Sequence, residues 1–245
     1  MGLKGVVLAG GTGSRLRPLT LVTNKHLLPV YDQPMVYYPI RMLVDAGVRD
    51  IMVVTGGESA GDFMKLLGSG EGFGLDHLEY AYQRGAGGIA EALGLTRYFI
   101  GNDDVVVVLG DNILEKPITA AVERYRSQGS GARVLLKRVP DPQRFGVARV
   151  EGDKVVEIIE KPKHPASDLA VIGVYMYDNA VFEIVAGLPR SARGELEITD
   201  VNNAYLRRGQ LQYEVVDGWW TDAGTFESLF HAGQLVHGSR PTSPR

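Results

Sequence analysis

A glycine-rich loop followed by an arginine and a lysine is the segment of this 245-residue chain whose residue types most directly suggest chemistry. The loop residues are Leu8, Gly10, Gly11, Thr12 and Gly13. Glycines at the end of a strand let backbone N–H groups surround an anion, and Arg15 and Lys25 add the positive charge that a polyphosphate needs. We predict a phosphate-binding loop, although glycines after a strand also form ordinary tight turns.

Two familiar nucleotide-binding loops do not fit this segment. A P-loop requires a Lys-Ser or Lys-Thr pair after its last glycine, and here Ser14 and Arg15 follow Gly13. A dinucleotide-binding fingerprint requires a third glycine that opens a helix, and Leu16 occupies that position. We therefore expect a phosphate-binding loop of another kind.

Two aspartates at loop ends could hold a metal ion. Asp111 follows the apolar run at 105–109, so its carboxylate should emerge at the end of a buried strand. Asp222 lies shortly before a predicted helix. Mg²⁺ takes one or two carboxylates together with phosphate oxygens and water. Each aspartate could instead cap the segment that follows it, and the sequence leaves both alternatives open.

Two further cations lie among acids in the second half of the chain. Lys161 follows Glu160 at the end of a predicted strand, where a regular strand would point the two side chains to opposite faces. Arg193 lies in a loop before a predicted helix, and a guanidinium can bind phosphate through two hydrogen bonds. Taken alone, either cation could also be an ordinary surface charge.

Composition excludes several classes of protein. The formal net charge is −3 and the basic residues are dispersed, which does not suit a nucleic-acid-binding surface. The absence of cysteine excludes disulfides, thiolate nucleophiles and thiolate zinc sites. No apolar run approaches the roughly 20 residues of a membrane span, and the N-terminus does not resemble a signal peptide. We expect a soluble, cytoplasmic protein with no nucleic-acid or membrane partner.

Alternating apolar runs and helical patterns in the first half predict an α/β fold with a doubly wound, mostly parallel, Rossmann-like sheet. The predicted strands cover residues 5–9, 51–55, 78–82 and 105–109, and the predicted helices cover 35–45, 61–67 and 89–98. Ligands bind at the carboxyl ends of such strands, so the glycine-rich loop and residues 110–112 should meet there.

Past residue 130 the pattern changes to short strands joined by turns, which predicts a small antiparallel lobe over the mouth of the sheet. The predicted strands cover residues 133–138, 146–150, 155–160, 171–177 and 211–216, and the predicted helices cover 198–208 and 226–236. We expect one domain over residues 1–240, with halves at about 1–130 and 131–240, and a tail at 241–245.

Several separated motifs together resemble one known family, the sugar-nucleotide pyrophosphorylases. They are LAGGxGxRLxPxT at 8–20, KxLLPV at 25–30, QPMxYYP at 33–39, LGDN at 109–112, FGV at 145–147, EKP at 160–162, and the segment 191–200. The resemblance covers about residues 4–235 and is specific because the motifs are many. It implies an Mg²⁺-dependent nucleotidyltransferase that joins dTTP to glucose 1-phosphate by in-line attack on the α-phosphate, and a homodimer or homotetramer.

The resemblance implies a role for each matching residue. The catalytic residues would be Arg15, Lys25, Lys161 and Arg193. The nucleotide-binding residues would be Leu8, Gly10, Gly11, Thr12, Gly13, Gln83, Gly88 and Asp111. The sugar-binding residues would be Asn112, Gly146, Glu160, Lys161 and Val171, and the Mg²⁺ ligands would be Asp111 and Asp222. The first half would then bind nucleotide and the second half sugar. An amide such as that of Gln83 can pair with the N3–H and carbonyl edge of thymine or uracil.

Three departures from the family pattern concern substrate choice. Residues 84–88 replace a proline-containing stretch, Phe145 stands where a tyrosine is common, and Ile172 replaces a usual threonine. Thymine and uracil differ by one methyl group, worth only roughly 1 to 3 kcal/mol in a pocket, so we expect UTP to be used as well. Another nucleotide and sugar pair, or a non-catalytic nucleotide-sugar sensor, are the alternatives. The chain ends before the C-terminal helices of longer relatives, so we expect weakened or absent feedback by nucleotide sugar.

Overall fold

Apolar runs form the centre of a nine-stranded sheet in the computed structural model, which describes residues 2–239. The strands are β1 (Leu3–Ala9), β2 (Pro29–Val30), β3 (Gln33–Pro34), β4 (Asp50–Gly56), β5 (His77–Gln83), β6 (Asp104–Leu109), β7 (Asn112–Leu114), β8 (Ala132–Arg138), β9 (Gly146–Glu151), β10 (Lys154–Glu160), β11 (Leu169–Tyr177), β12 (Leu211–Val215) and β13 (Trp220–Asp222). The helices are α1 (Tyr37–Asp45), α2 (Ala60–Leu67), α3 (Ile89–Gly94), α4 (Arg97–Ile100), α5 (Thr119–Gln128), α6 (Val181–Ala186), α7 (Ile198–Arg207) and α8 (Phe226–Ser239).

The sheet has a parallel part and a mixed part. Strands β5, β4, β1 and β6 lie side by side in that order and run parallel. Strand β11 runs antiparallel to β6 and joins it to β8, which pairs in parallel with β12. The predicted α/β class with a mostly parallel sheet is confirmed.

The antiparallel strands past residue 130 continue the same sheet instead of forming a separate one. All nine residues of β11 are buried, and this strand is long enough to pair with two different strands along one edge. Its second half pairs with β6, while Ala170 and Val171 pair with the β9–β10 hairpin. The hairpin is therefore attached beside the carboxyl end of β6, where the predicted ligands would bind.

Two cores fix the strand ends in register. Successive side chains of a strand point to opposite faces, so Val6 and Leu8 pack with α3, α6 and α7, whereas Val7 and Ala9 pack with α1, α2 and α5. Leu8 of β1 lies opposite Leu109 of β6. The loops that follow these two strands therefore leave the sheet side by side.

The structure departs from the predicted elements in several places. The predicted helix 89–98 is two helices, α3 and α4, interrupted after Gly94. Helices α5 and α6 and the two-residue and three-residue strand pairs β2–β3 and β7–β13 were not predicted. Within residues 2–239 no helix is long and apolar enough to span a bilayer. The predicted tail at 241–245 lies outside the described residues.

Gly173 tests how tightly β11 is packed beneath the loop after β6. A Cβ at Gly173 would lie 2.6 Å from Asn112 Nδ2 and 2.6 Å from Leu109 Cγ, so Gly173→Ala should lower the free energy of unfolding by about 1 to 3 kcal/mol. Gly61→Ala in α2 meets nothing within 4 Å and should cause no loss. Urea denaturation of both variants checks this, and equal stabilities would contradict the packing described.

Candidate active site

Two adjoining cavities of about 270 and 560 Å³ open where β1 and β6 end. Their shared lining residues are Ile89, Leu109, Asp111 and Glu195. Predicted residues in the first cavity are Leu8, Gly10, Gly11, Thr12, Lys25, Gln83, Gly88 and Asp111. Predicted residues in the second are Arg15, Asp111, Asn112, Gly146, Glu160, Lys161, Val171, Arg193 and Asp222. The structure thus gathers the predicted residues around two connected spaces, which we call the first and second cavities.

Gly13 turns the glycine-rich loop and does not line either cavity. Its φ of 63° lies in the left-handed region, and a Cβ there would lie 2.9 Å from Lys25 Cβ. The Thr20 hydroxyl donates to Gly13 O at 2.8 Å, and the Asn24 amide donates to Ala9 O at 3.3 Å. These contacts hold the loop against the segment that carries Lys25.

A buried ion pair joins the two loops that follow β1 and β6. Lys25 Nζ lies 2.5 Å from Asp111 Oδ2, and each side chain is 12% exposed. The Asn112 amide donates to the other Asp111 oxygen at 3.0 Å. Burial by itself would raise the pKa of Asp111, but the charge of Lys25, the nearby His26 and the hydrogen bonds from Lys25 and Asn112 together outweigh burial and leave that pKa well below its usual value. Asp111 precedes strand β7, so the capping alternative does not hold for it.

Asp222 faces the same space from the other side. It ends β13 opposite Asn112 of β7, and the following helix is capped by Thr225, whose hydroxyl accepts from Ser228 N at 3.2 Å. Asp222 is therefore not a helix cap. Arg144 Nη2 donates to Asp222 Oδ2 at 3.1 Å. Burial raises the pKa of Asp222, and the negative charge of Asp111 raises it further. The positive charge of Arg144 lowers this pKa but does not cancel the rise.

Asp111 and Asp222 suit the metal ion that the sequence predicts. An ideal Cβ on Gly224 would lie 3.7 Å from one oxygen of each carboxylate and 3.2 Å from Arg15 Nη2, so glycine leaves open the space between them. Within residues 2–239 no group of three or more His, Asp or Glu side chains forms a metal site. Two carboxylates nevertheless fit Mg²⁺, which takes its other ligands from water and substrate phosphates.

The end of β10 is not regular, and this changes the direction of a predicted side chain. Lys161 has a φ of 43°, and its backbone N–H donates to Phe145 O at 2.9 Å. Glu160 and Lys161 consequently both line the second cavity, so the opposite-face arrangement expected of a regular strand does not occur. A left-handed conformation is costly for lysine, and such conformations concentrate at functional sites.

Arg193 reaches the second cavity through contacts with acids. Its Nη2 donates to Glu197 Oε2 at 2.8 Å and to Glu160 Oε1 at 3.4 Å, and its Nε donates to Glu197 Oε1 at 3.2 Å. Thr199 donates to the other Glu160 oxygen at 2.7 Å. The guanidinium is therefore held by acids at the wall of the cavity.

Asn112 holds the floor of the second cavity. Its amide oxygen accepts from Trp220 Nε1 at 2.7 Å and from Gly173 N at 2.9 Å. Among the departures from the family pattern, Phe145 lines the second cavity, with its ring centroid 5.3 Å from that of Trp220. Ile172 instead is fully buried in the core beside α1, so the expected effect of that position on sugar choice has no direct contact to support it.

Sequence reasoning missed several residues that line the cavities: His26, Arg144, Glu197, Thr199 and Trp220. His26 and Arg144 each adjoin a residue that was singled out, so neighbouring positions in the motifs were the available signal. Glu197 lies within the recognised segment 191–200, four residues after Arg193, so the signal for it was local. Trp220 acts through a contact with Asn112 that is distant in sequence and has no local pattern.

Comparison with known proteins identifies the family to which the sequence and the fold are similar. The sequence profile of the nucleotidyl transferase family matches residues 4–238. Proteins named glucose-1-phosphate thymidylyltransferase from Neisseria meningitidis and Mycolicibacterium smegmatis are each 46% identical to this chain, over 96% of its length and 82% of their own. A solved structure assigned to a glucose-1-phosphate thymidylyltransferase from Bacillus anthracis, in complex with a sucrose, is 52% identical with a TM-score of 0.93, covering 100% of this chain and 98% of that one. UDP-glucose pyrophosphorylase complexed with UDP-glucose has a TM-score of 0.87 over 98% of this chain and all of its own, at 24% identity, which supports the fold alone.

His26 should make the stability of the protein sensitive to acid. Burial lowers its pKa to about 3, and the charge of Lys25 acts in the same direction, so the folded state holds the imidazole neutral. The unfolded chain binds the proton near pH 6.5, so the stabilisation is complete above that pH and is lost as pH falls toward 3. The loss between pH 7 and pH 4 should be on the order of 3 kcal/mol.

His26→Asn keeps a nitrogen donor near Asn24 Oδ1, which lies 2.8 Å from His26 Nδ1, but it does not titrate. Urea unfolding from pH 4 to 7 should show a flatter pH dependence for this variant than for the wild type. Parallel curves for the two proteins would contradict the buried, neutral imidazole.

Proposed function

This chain belongs to the nucleotidyl transferase family, and we propose that it joins dTTP to glucose 1-phosphate, forming dTDP-glucose and pyrophosphate. A phosphate oxygen of the sugar phosphate attacks the α-phosphorus, and the bond from that phosphorus to the oxygen bridging it to the β-phosphate breaks as pyrophosphate leaves. The observation that carries the proposal is the meeting of two cavities at Asp111: Lys25 lines the first, and Arg15, Arg144, Lys161 and Arg193 line the second. This arrangement suits one polyphosphate and one monophosphate substrate.

The nucleotide enters the first cavity in this account. Backbone N–H groups of the glycine-rich loop and the charge of Lys25 neutralise the triphosphate and the departing pyrophosphate, together with Arg15 of the adjoining second cavity. Lys25 is paired with Asp111. Binding therefore exchanges one anionic partner of Lys25, the carboxylate, for another, the phosphate.

The sugar phosphate enters the second cavity in this account. Lys161 and Arg193 hold the attacking phosphate, and Glu160 accepts hydrogen bonds from sugar hydroxyls. Asn112, Gly146 and Val171 complete the wall around the hexose. Reaction then depends on positioning and on neutralising charge, since no covalent enzyme intermediate is needed.

Mg²⁺ would be held by Asp111 and Asp222 and, when bound, would neutralise phosphate charge and polarise the α-phosphate. The space beside Gly224, the two carboxylates and the nearby Arg15 guanidinium support this assignment. Arg144 holds Asp222 in place through its hydrogen bonds to both carboxylate oxygens.

The proposed substrates also bear on the location of the protein in the cell. Nucleoside triphosphates and sugar phosphates are highly charged and do not cross membranes unaided, so the proposal places the protein in the cytoplasm. A single domain over residues 1–240, with nucleotide bound by its first half and sugar by its second, is part of the same proposal. A homodimer or homotetramer stays a prediction.

Pyrophosphate release tests the proposed reaction. The purified protein with Mg²⁺ would be given dTTP, UTP, CTP, GTP or ATP, each with glucose 1-phosphate or another sugar 1-phosphate, and each nucleotide alone as the control. Release with dTTP and glucose 1-phosphate is expected, with UTP used at a rate lower by roughly 10- to 100-fold for the missing methyl group. No pyrophosphate release with dTTP and glucose 1-phosphate would overturn the proposal.

Asp111→Asn and Asp222→Asn should each lower turnover by at least about 100-fold, because each removes one of the two carboxylates proposed to hold Mg²⁺. The matched control is Asp168→Asn, which changes an exposed aspartate paired with Arg138 at 2.5 Å. Steady-state kinetics of the three variants checks this. Turnover in Asp111→Asn as high as in the control would remove Asp111 from the site.

A further inference from the structure

The side-chain amide of Gln83 is held in one orientation inside the first cavity. Gln83 ends β5 and is only 6% exposed. Its Nε2 donates to Gly88 O at 3.1 Å and to Glu91 Oε1 at 3.2 Å. An amide nitrogen carries two hydrogens, and these two acceptors use both, so of the expected pairing with the N3–H and carbonyl edge of a base only the N3–H contact is left to this amide. The opposite atom, Oε1, lies 3.0 Å from where a Cβ on Gly10 would stand, and so faces the glycine-rich loop.

Glu91 is itself held by an arginine from a loop distant in sequence. It lies in the first turn of α3, and Arg190 Nη2 donates to its Oε2 at 2.6 Å. Arg190 also donates to Gly194 O at 2.8 Å, so it is anchored in the loop that carries Arg193. The hydrogen bond from Arg190 lowers the pKa of Glu91, which keeps the carboxylate ionised.

The backbone at Gly87 leaves room for this carboxylate. A Cβ on Gly87 would lie 1.8 Å from Glu91 Oε1, closer than any side chain could approach. Gly87 is not among the glycines with a positive φ, so the reason for glycine here is space and not backbone conformation. Any larger residue at position 87 would displace the carboxylate from Gln83.

An ionised carboxylate can only accept hydrogen bonds, and so can a backbone carbonyl. If the amide of Gln83 rotated by half a turn, its oxygen would meet Gly88 O and the Glu91 carboxylate, two acceptors without a hydrogen between them. Such an arrangement of acceptors beside the buried Gln83 side chain is unfavourable, because two hydrogen bonds are lost and like partial charges face each other. The amide therefore presents its oxygen to the cavity, and Glu91 opposes the reverse orientation.

We propose that Glu91 is a positioning residue for base choice: by fixing the Gln83 amide, it presents an acceptor that selects bases carrying an N–H at their pairing edge. Thymine and uracil offer such a group at N3, whereas N3 of cytosine is itself an acceptor and meets the Gln83 oxygen without a hydrogen bond. The inference rests on the proposed function, since it assigns the first cavity to the nucleotide. It adds the Gln83–Glu91–Arg190 chain as the element that excludes cytosine.

A charge-swapped double variant, Glu91→Lys with Arg190→Glu, tests the inference directly. It retains an ion pair at the same place but gives Gln83 a donor in place of one of its two acceptors, Gly88 O being the other. The amide is then no longer held in one orientation and can present its NH₂ group to the base. Dissociation constants of dTTP and dCTP would be measured by calorimetry without any sugar phosphate. The wild type should prefer dTTP by about 10- to 100-fold, and the double variant should lose at least about tenfold of that preference.

A second variant keeps the charges unchanged in case the swap prevents folding. Gly87→Ala should displace the Glu91 carboxylate and reduce the preference for dTTP, whereas Gly72→Ala, where a Cβ meets nothing within 4 Å, should leave it as in the wild type. An unchanged ratio of dTTP to dCTP affinity in folded Gly87→Ala and in the folded double variant would overturn the inference.

Nucleotide binding and turnover separate this inference from the proposed function. A wild type that prefers dTTP over dCTP but releases no pyrophosphate with glucose 1-phosphate would contradict the proposed reaction and leave base selection by Glu91 standing. A wild type that turns over dTTP but binds dCTP equally well would contradict base selection alone.

Discussion

The buried ion pair between Lys25 and Asp111 is the interaction on which the rest of the site depends. It joins the loop after β1 to the loop after β6, and both side chains are almost withdrawn from water. Charges in such a position require a partner, and removing either residue would leave the other uncompensated. The pair therefore keeps Asp111 ionised and at the same time holds an ammonium group at the edge of the first cavity. Parallel strands in register make it possible, because Leu8 and Leu109 place the two loops side by side.

Pairing of a cation with an acid also occurs around the second cavity. Arg144 contacts Asp222, and Arg193 contacts Glu197. Substrate phosphates would thus replace carboxylates as partners of Lys25 and Arg193, instead of entering a cluster of exposed positive charge. Groups fixed in this way need little rearrangement when charge moves during the reaction, which is how positioned charges lower a barrier. Base selection through Glu91 uses the same device, since Arg190 fixes the acid that in turn fixes Gln83.

The sequence could predict the features that neighbouring residues determine, and could not predict those that depend on contacts between distant parts of the chain. The β-branched runs predict β1 and β6 as buried parallel strands, and that alone brings the glycine-rich loop to Asp111. The position of Asp222 opposite Asn112 could not be predicted. The strands that pair them, β7 and β13, are only three residues long and come from distant parts of the chain. The direction of Lys161 depends on a left-handed backbone angle that lysine rarely adopts. The hold of Glu91 on Gln83 depends on Arg190 approaching from a loop far along the chain, which leaves no periodic signal.

The affinity of dTTP in the absence of divalent cations tests most directly whether phosphate displaces Asp111 from Lys25. Calorimetric titrations would compare the wild type with Asp111→Asn and with Asp222→Asn, which removes a nearby negative charge but leaves the Lys25 pair intact. Asp111→Asn should bind dTTP more tightly than the wild type by about tenfold, because Lys25 no longer has to leave a carboxylate, and the gain in Asp222→Asn should be smaller. Equal or weaker binding by Asp111→Asn would show that Lys25 does not exchange partners and would contradict this account of the site.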